Sequence, residues 1–368
     1  MLGQVIILRE LLVAFYGVEL IYSLAIGVWL LWTGTGALLF RKRIPTTKLM
    51  AFLFFFLGLA FPLDVIFLRS SRLFFSAVPG AYLSFFSQMI IMPAALLPVG
   101  ISLGLLFQWA ARVFARNGRS LAAAYAIESG GGLLGGLAST LFFHWGFQNF
   151  TLALICALAC LMCPLLYAGL GSSIRLVTAL LLLLVLSSFF LSGPIDRRTS
   201  AWNHPGLLSV RDTPYGRMAV TRRFDQISVF ENDLLLFETQ GKDAETFSHL
   251  PALQHQGPIR DMLVLGGLDG IVKELIQYGP ERIDWIELNR TGVDLVLPFL
   301  PEEMRRPLLR KPVQLIIADP RSFLKQGRQY DLIIVAMGEP VSGQANRFYT
   351  EEFFAACGSR LGTGGIMA

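Results

Sequence analysis

The first 193 residues of the chain consist largely of apolar runs separated by short polar stretches. A helix needs about 20 consecutive apolar residues to cross the hydrocarbon core of a bilayer, and these runs approach or exceed that length. They predict an N-terminal α-helical transmembrane bundle of about six or seven helices, in which the first is short. The predicted spans are residues 1–18, 20–40, 49–68, 80–108, 121–143, 149–170 and 174–193.

The composition agrees with this division of the chain. Hydrophobic residues make up 54% of it and charged residues only 15%, whereas a soluble domain carries about 25% charge. The deficit lies in the first half, because residues 200–368 resemble an ordinary globular domain, long enough to bury a core of its own. The net charge of +5 does not indicate nucleic acid as a partner, since many basic residues flank apolar runs, as at 41–43.

The predicted spans contain ionisable residues, among them Arg9, Glu10, Asp64 and Glu128. Such residues are costly in lipid and usually face a partner or a cavity. We expect Glu128 either to line a substrate or proton path or to pair with another span. Arg9 and Glu10 are expected to pair outside the chain or to lie near the membrane interface.

Small residues predict where the spans pack closely. The stretch "SGGGLLGG" contains two overlapping G-x-x-x-G pairs, Gly131/Gly135 and Gly132/Gly136, and "TGTG" at 33–36 is similar. Three cysteines at 156, 160 and 163 have a spacing that could indicate a metal site. Because no His, Asp or Glu lies in that run, we interpret them as small residues of a membrane helix and expect no metal.

After residue 200 the pattern changes to short β-type runs divided by turn residues, which predict a small antiparallel module at 200–250. A buried-type strand at 262–265 then leads through a glycine turn at 266–270 into a helix at 271–278 and a second strand at 283–288. This is a βαβ unit, the start of a Rossmann-like domain at 251–368. The predicted fold is therefore a transmembrane bundle at 1–195 followed by an α/β Rossmann-like domain with a small β module at its start.

The βαβ unit has features of a nucleotide-binding site. Glycines let a ligand approach the backbone, and an acid at the tip of the second strand can bind two ribose hydroxyls. Glu287 stands 21 residues after Gly266, and a third strand ends in Asp319. The alternative is an ordinary βαβ core with solvated acids at the starts of its loops.

Both ends of the sequence are abrupt: "MLGQ" begins inside an apolar run, and "LGTGGIMA" stops inside a predicted strand. We therefore expect the bundle to be truncated at its N-terminus and the Rossmann-like domain at its C-terminus.

Six elements, in order, resemble the spermidine synthases, and more broadly the class I S-adenosylmethionine-dependent transferases. "GGLDG" resembles the family's G-G-G-D-G turn, with Leu268 in place of a glycine, and "WIELN" resembles its V-E-L-D strand end. The remaining four are "IIADPRSFL", "YDLIIVAMGEP", "RFYTEEFF" and "LGTGGIMA". The stretches "LRELLVAFYGVEL" and "YAIESGGGLLGG" resemble the bacterial subgroup in which a multi-span membrane region precedes this domain.

The resemblance implies a site for S-adenosylmethionine or its decarboxylated form as co-substrate. Gly266, Gly267, Asp269 and Gly270 would line the nucleoside and its amine-bearing arm. Glu287 would hold the ribose hydroxyls, and Asp319 would accept from the adenine amino group. No metal is implied. It also implies a multi-pass protein of the bacterial inner membrane. Basic loops and span count disagree about its orientation, and the cytosolic origin of the ligand favours a cytoplasmic C-terminal domain.

The chain departs from the family where the acceptor would bind. The family's D-S-S-D-P motif uses two acids to bind a diamine and to help deprotonate the attacking amine. Here Ala336 replaces the first acid and Glu339 the second. The family's Y-H-E stretch is altered, with His249 displaced by one position, so Glu339, His249 and Tyr349 are the candidates for a base. Ordinary spermidine synthesis is therefore not expected.

The leading hypothesis is a membrane-anchored transferase that moves an aminopropyl or methyl group to a small-molecule acceptor, an amine being one candidate. A catalytically silent nucleoside-binding sensor that regulates the membrane part is one alternative, which Ala336 favours. A polyamine or lipid carrier that uses Glu128 as a cation site is the other. The expected partners are the lipid bilayer and the small-molecule acceptor, and no nucleic acid is expected. The oligomeric state is left open.

Overall fold

The computed structural model describes residues 1–42, 45–165, 171–325, 327–340 and 342–368. The described chain divides into two compact units, Met1–His204 and Pro205–Ala368. The end of the predicted span 149–170 and the last residue of the basic stretch 41–43 lie outside the described residues.

The N-terminal unit is built from helices, and a helix lies in each of the seven predicted spans. Of the helices described, α2, α3, α4 and α7 as bounded below are long and apolar enough to cross a membrane. The helices are α1 (Leu2–Ala14), α2 (Glu19–Leu38), α3 (Thr47–Phe74), α4 (Phe85–Arg116), α5 (Leu121–His144), α6 (Asn149–Leu165), α7 (Ser172–Phe190) and α8 (Ser192–Ser200).

Helices α2 and α4 approach each other through glycines. A β-carbon on Gly36 would overlap the carbonyl group of Ile101, and one on Gly104 would overlap the carbonyl group of Thr33. The missing side chains let the two backbones come together, as small residues do between membrane helices. The close packing predicted for the stretch at 33–36 is therefore confirmed.

The second glycine cluster behaves differently. A β-carbon on Gly131, Gly132 or Gly136 of α5 would meet no packing neighbour within 4 Å among the described residues, and one on Gly135 would meet only Met1 and Leu2. The prediction of close helix packing at the two G-x-x-x-G pairs is therefore wrong within the described part of this single chain, except at Gly135. Helix α5 carries Glu128 on its exposed surface.

The guanidinium of Arg69 joins three helices inside the bundle. Its Nε donates to Glu10 Oε1 on α1 at 2.7 Å. On α8, its Nη2 lies 2.9 Å from Asp196 Oδ1 and its Nη1 donates to Thr199 Oγ1 at 2.8 Å. Asn149 Nδ2 of α6 donates to the second oxygen of Glu10 at 2.8 Å. Glu10 therefore pairs inside the chain, which corrects the expectation that its partner lies outside or that it sits near the interface.

The other two predicted intramembrane charges have different surroundings. The Arg9 guanidinium lies over the Phe143 ring, 4.2 Å from its centroid. Asp64 on α3 is 6% exposed, and its Oδ2 is buried without a hydrogen-bond partner among the described residues. Buried polar atoms are normally satisfied, so Asp64 calls for an explanation.

The C-terminal unit begins with an antiparallel meander in the order β1-β2-β3-β4. A buried ion pair joins the first two strands of the meander, with Arg217 Nε 2.8 Å from Asp212 Oδ1. Asn232 and Asp233 have positive φ, which suits the tight turn between the last two strands. The strands are β1 (Leu207–Thr213), β2 (Gly216–Arg223), β3 (Gln226–Glu231) and β4 (Leu234–Glu238), and α9 (Asp243–Ala252) follows them.

A five-stranded parallel sheet forms the rest of the unit, in the order β7-β6-β5-β8-β9. Its strands are β5 (Asp261–Gly266), β6 (Arg282–Glu287), β7 (Val313–Ile317), β8 (Tyr330–Ala336) and β9 (Leu361–Met367). The intervening helices are α10 (Ile271–Ile276), α11 (Arg290–Val296), α12 (Glu302–Leu308), α13 (Pro320–Phe323), α14 (Gly343–Asn346) and α15 (Glu351–Gly358).

Alternate residues of the central strands enter two cores, one on each face of the sheet. Met262 and Val264 belong to one cluster, and Leu263 and Leu265 to the other. Burial on both faces explains why these strands are apolar throughout. The strand order reverses its direction between β5 and β8. Folds of this kind bind ligands in a crevice at the carboxyl edge beside such a reversal, and below we call this place the crevice.

Candidate functional site

The turn after β5 requires glycine at several positions. The φ values are 84° at Gly266, 94° at Gly267 and 104° at Gly270. Residues that carry a β-carbon rarely adopt such positive values. A β-carbon on Gly266 would also overlap the carbonyl oxygen of Ala336 at the end of the neighbouring strand. The backbone of this turn is therefore bare and close to the tip of β8, as a ligand-binding turn must be.

Glu287 stands at the end of β6, level with the glycine turn, because β5 and β6 pair with Leu265 opposite Ile286. Its Oε1 accepts a hydrogen bond of 3.1 Å from Trp285 Nε1, and the Leu268 backbone N–H acts to lower its pKa. Burial raises the pKa of Glu287 to about 8, against the effect of the Trp285 hydrogen bond. The acid and the turn thus lie at the same level of the sheet edge.

Two further carboxyl groups act on Glu287. The negative charges of Asp269 and Glu231 raise its pKa further. Burial raises the pKa of Asp269 itself to about 6, although the Ile271 backbone N–H donates to it at 3.5 Å. Burial also raises the pKa of Glu231, at the end of β3. A cationic ligand group placed among these three carboxyl groups would favour their ionised forms and lower their pKa values.

Glu231 was missed by the sequence analysis. The antiparallel module brings it toward the crevice, and only the tertiary arrangement of the two sheets within this unit places it there. The one available signal was an acid at the end of a β-type run, just before the turn at Asn232 and Asp233.

Asp319 follows β7 and caps α13. Its Oδ1 accepts from the Arg321 backbone N–H at 2.9 Å and from Arg321 Nε at 3.4 Å. Its Oδ2 lies 3.1 Å from Arg321 Nη2 and 3.5 Å from Arg347 Nη1. Burial acts to raise the pKa of Asp319, but hydrogen bonds from Arg321 and the charges of Arg321 and Arg347 outweigh it and hold the pKa below its usual value.

Two of the three candidate bases, Glu339 and Tyr349, follow the tip of β8 in the chain. Tyr349 donates its hydroxyl to the Met337 carbonyl oxygen at 2.7 Å. Burial raises the pKa of Tyr349, and the negative charge of Glu339 adds to the increase. Glu339 is exposed. Ala336 is the last residue of β8 and places no carboxylate there.

His249 has other partners. It lies on α9, where its Nδ1 is 2.8 Å from the Tyr278 hydroxyl and its Nε2 is 3.5 Å from Glu274 Oε2. Glu274 belongs to α10 and Tyr278 follows that helix, so His249 ties α9 to α10. Both ring nitrogens have neighbours, which makes His249 a weaker candidate for a base than Glu339. Among the described residues, no group of three or more His, Cys, Asp or Glu is placed to hold a metal ion.

Asn289, just after β6, connects the two sheets of this unit. Its Oδ1 accepts from the Gly292 backbone N–H at 3.0 Å, which caps α11. Its Nδ2 donates to Thr213 Oγ1 at 3.1 Å, at the end of β1. The antiparallel module is thereby fixed against the edge of the crevice.

Residues 242–368 match the model of the spermine/spermidine synthase domain. A polyamine aminopropyltransferase of Nitrosomonas europaea is 32% identical over 126 residues, which are 34% of this chain and 38% of that protein. One from Mycobacterium tuberculosis is 30% identical over 167 residues, which are 44% of this chain and 32% of that protein. The chain thus spans less than half of the length of these two relatives.

Among solved structures, a spermidine synthase in complex with the transition state analogue AdoDATO has a TM-score of 0.41 and 19% identity. The match covers 44% of this chain and 56% of that one. Spermidine synthase from Thermotoga maritima has a TM-score of 0.38 and 17% identity, over 44% of this chain and 54% of that one.

Proposed function

We propose, from the spermine/spermidine synthase domain that the C-terminal unit contains, that the chain is a membrane-anchored transferase of the aminopropyltransferase kind. It takes S-adenosylmethionine or its decarboxylated form and transfers an aminopropyl or methyl group to an acceptor. The observation that carries the proposal is the position of the buried Glu287 carboxyl group at the end of β6, level with the glycine turn at 266–270. A bare backbone and a buried acid thus lie side by side at the carboxyl edge of the sheet.

Each part of the co-substrate has a matching group. The carboxyl group of Glu287 binds the two ribose hydroxyls, and the glycine turn admits the sulfur-bearing arm. Asp269 and Glu231 supply negative charge toward the ammonium group at the end of that arm. Asp319 lies at the far side of Glu287, where the base would lie. Strands β6 and β7 pair in parallel with Glu287 opposite Ile317, two residues before Asp319.

The reaction moves a carbon from the sulfonium to the acceptor. A lone pair on the acceptor attacks the carbon, the carbon–sulfur bond breaks, and its electrons neutralise the sulfonium as a thioether. An amine acceptor must first lose a proton. Glu339 is the stronger candidate to take it, because the raised pKa of Tyr349 keeps its hydroxyl protonated and donating to Met337. The protein adds positioning and the exclusion of water.

Membrane anchoring is proposed from α2, α3, α4 and α7, whose length and apolarity fit a bilayer. Since S-adenosyl compounds are made in the cytosol, the C-terminal unit belongs on the cytoplasmic side of the bacterial inner membrane. An acceptor could then reach the site from the cytosol or from the membrane.

The test is calorimetric titration of the full chain in detergent with each S-adenosyl compound, comparing wild type with Glu287→Ala. We expect Glu287→Ala to abolish measurable binding by removing the ribose contact. Glu302→Ala, at an exposed position of α12, is the matched control and should bind like wild type. Wild-type affinity in Glu287→Ala would contradict the assignment.

A nucleoside-binding sensor is a second candidate, favoured by Ala336 at the strand tip. To distinguish the sensor hypothesis from the enzyme hypothesis, the wild-type protein is incubated with both S-adenosyl compounds and a panel of amines. Detection by mass spectrometry of a product enlarged by an aminopropyl or methyl group supports the enzyme. Tight binding without any such product supports the sensor.

A carrier of polyamines or lipids is a third candidate, favoured by the buried carboxyl of Asp64, whose Oδ2 has no hydrogen-bond partner in the described part of the chain. Asp64 suits a cation site better than Glu128, which is exposed on α5. Uptake of a labelled polyamine into vesicles tests this: the carrier requires uptake that Asp64→Asn abolishes, with Glu128→Gln as the control. Absence of uptake by the wild type would exclude a polyamine carrier.

A further inference from the structure

We propose that Arg347 reads the purine base of the co-substrate, donating a hydrogen bond to a ring nitrogen while Asp319 accepts from the adjacent exocyclic amino group. The inference rests on the proposed function and adds a specificity-determining residue to it. Its starting point is the arrangement of four donors around one carboxylate.

Asp319 has one acceptor position that no hydrogen bond takes. An ionised carboxylate offers about four lone-pair positions. Arg321 takes two on Oδ1, at 2.9 and 3.4 Å, and one on Oδ2, at 3.1 Å. Arg347 Nη1 faces Oδ2 as an ion-pair partner at 3.5 Å. An incoming amino group therefore binds at Oδ2 beside Arg347, because Arg321 is held by its backbone N–H as well as by its guanidinium.

Arg347 has a donor that its present contacts leave unused. Its Nε is buried and has no hydrogen-bond partner among the described residues. A buried donor without an acceptor is unfavourable, and a ligand atom that accepts from it recovers the loss. The side chain is 23% exposed, so part of it is accessible from outside the protein.

The position of Arg347 is well defined. Its guanidinium lies 4.7 Å from the centroid of the Phe348 ring. Phe348 is 2% exposed and belongs to the core on one face of the sheet. Two residues after Arg347, Tyr349 is bound to the Met337 carbonyl oxygen. A side chain anchored on both sides can discriminate between ligands, because little of its binding free energy is lost in ordering it.

A carboxylate beside a guanidinium is complementary to the edge of adenine. Adenine presents an amino donor next to ring-nitrogen acceptors, whereas a 6-oxo purine presents an acceptor where adenine has its donor. Asp319 is ionised at neutral pH because the two arginines lower its pKa, so it can only accept. The pair thus favours a 6-amino purine and disfavours a 6-oxo purine.

The test measures the affinity of the full chain for 5′-methylthioadenosine and 5′-methylthioinosine by calorimetry. Wild type should prefer the adenine compound. Arg347→Met should lower the affinity for 5′-methylthioadenosine by roughly 10- to 100-fold, as expected for a lost hydrogen bond from a charged donor. It should also reduce the ratio of the affinities for the adenine and the hypoxanthine compound. Arg347→Lys keeps the positive charge but loses the planar guanidinium, so it should retain only part of the wild-type affinity for the adenine compound.

Arg328→Met is the matched control. Arg328 pairs with Asp261 at the start of β5, 3.8 Å away at the opposite edge of the sheet, so this change should leave the preference unaltered. Thermal melting of every variant checks that the fold is retained. Unchanged discrimination in a folded Arg347→Met, or tighter binding of both compounds, overturns the inference.

Failure of the inference is distinguishable from failure of the proposed function. If wild type binds both nucleosides and Glu287→Ala binds neither, while Arg347→Met discriminates like wild type, only the role of Arg347 is wrong. If wild type binds no S-adenosyl compound and neither nucleoside, the proposed function and this inference are both wrong.

Discussion

Trp285 Nε1 donates a 3.1 Å hydrogen bond to Glu287 Oε1, two residues further along β6. Residues two apart in a strand point to the same face, so a fully buried indole and a carboxyl group at the crevice share one side of the sheet. Trp285 is 0% and Glu287 8% exposed. The hydrogen bond thus holds an acid in a place where burial opposes its ionisation.

The free energy of unfolding of the wild-type protein should therefore fall as the pH rises through the range in which the Glu287 carboxyl group titrates. Burial raises the pKa of Glu287 from 4.5 to about 8. A raised folded-state pKa means that its contribution is fully present below pH 4.5, declines between 4.5 and about 8, and stays constant above. Glu287→Gln removes the decline, so its free energy of unfolding should exceed that of wild type at pH 8.5, by at most about 5 kcal/mol, and differ little at pH 5.

Denaturant or thermal unfolding of the full chain in detergent at pH 5, 7 and 8.5 measures this difference. Glu302→Gln, at an exposed position, is the control and should show no such trend. A stabilisation by Glu287→Gln that does not grow with pH would show that the carboxyl group is ionised in the folded protein throughout.

Gly266→Ala should disrupt the crevice. Gly266 has a φ of 84°, and an added β-carbon would overlap the Ala336 carbonyl oxygen, which is backbone and cannot easily move. We expect a loss of about 2–4 kcal/mol of stability, together with loss of nucleoside binding. Gly338→Ala is the control, because a β-carbon there would meet no neighbour within 4 Å in the described part of the chain. Equal stability of the two variants, measured by unfolding, would contradict this account.

The parallel sheet was largely predictable from the sequence. Its central strands are short apolar runs bounded by turn residues, and β8 occupies the run "YDLIIVA" in full. The glycine turn and Glu287 were predictable because both lie within one βαβ unit, where sequence spacing sets spatial position. For the same reason the spacing indicated that the two would be level at one sheet edge.

Contacts between distant segments were not predictable in this way. Arg69 and Asp196 are far apart in sequence and meet only because α3 and α8 pack together. The pair of Asp319 with Arg347 likewise joins two loops whose approach depends on the whole sheet. The glycine cluster of α5 had the right residues for close packing, but residue type alone does not say whether a neighbouring helix is present.

Breaking the buried network at Arg69 should strongly destabilise the N-terminal unit. Arg69→Met removes the guanidinium that contacts Glu10 and Asp196, and removal of one partner from a buried ion pair costs roughly 3–5 kcal/mol. Unfolding of the full chain in detergent should show a loss of this size. Arg198→Met, at an exposed position of α8, is the control and should unfold like wild type. A loss below about 1 kcal/mol in Arg69→Met would show that the network adds little.

Ala336→Asp should not create spermidine synthesis, although it restores the acid at the strand tip. The new carboxyl group would join a crevice in which burial already raises the pKa of Asp269 and Glu287, so part of its charge would be suppressed. The second acid also remains Glu339. We expect no spermidine above background when decarboxylated S-adenosylmethionine and putrescine are supplied and products are measured by mass spectrometry. Ala336→Asn provides an uncharged control of similar size, and appreciable putrescine turnover confined to the Asp variant would show that one missing carboxylate alone separates this chain from diamine chemistry.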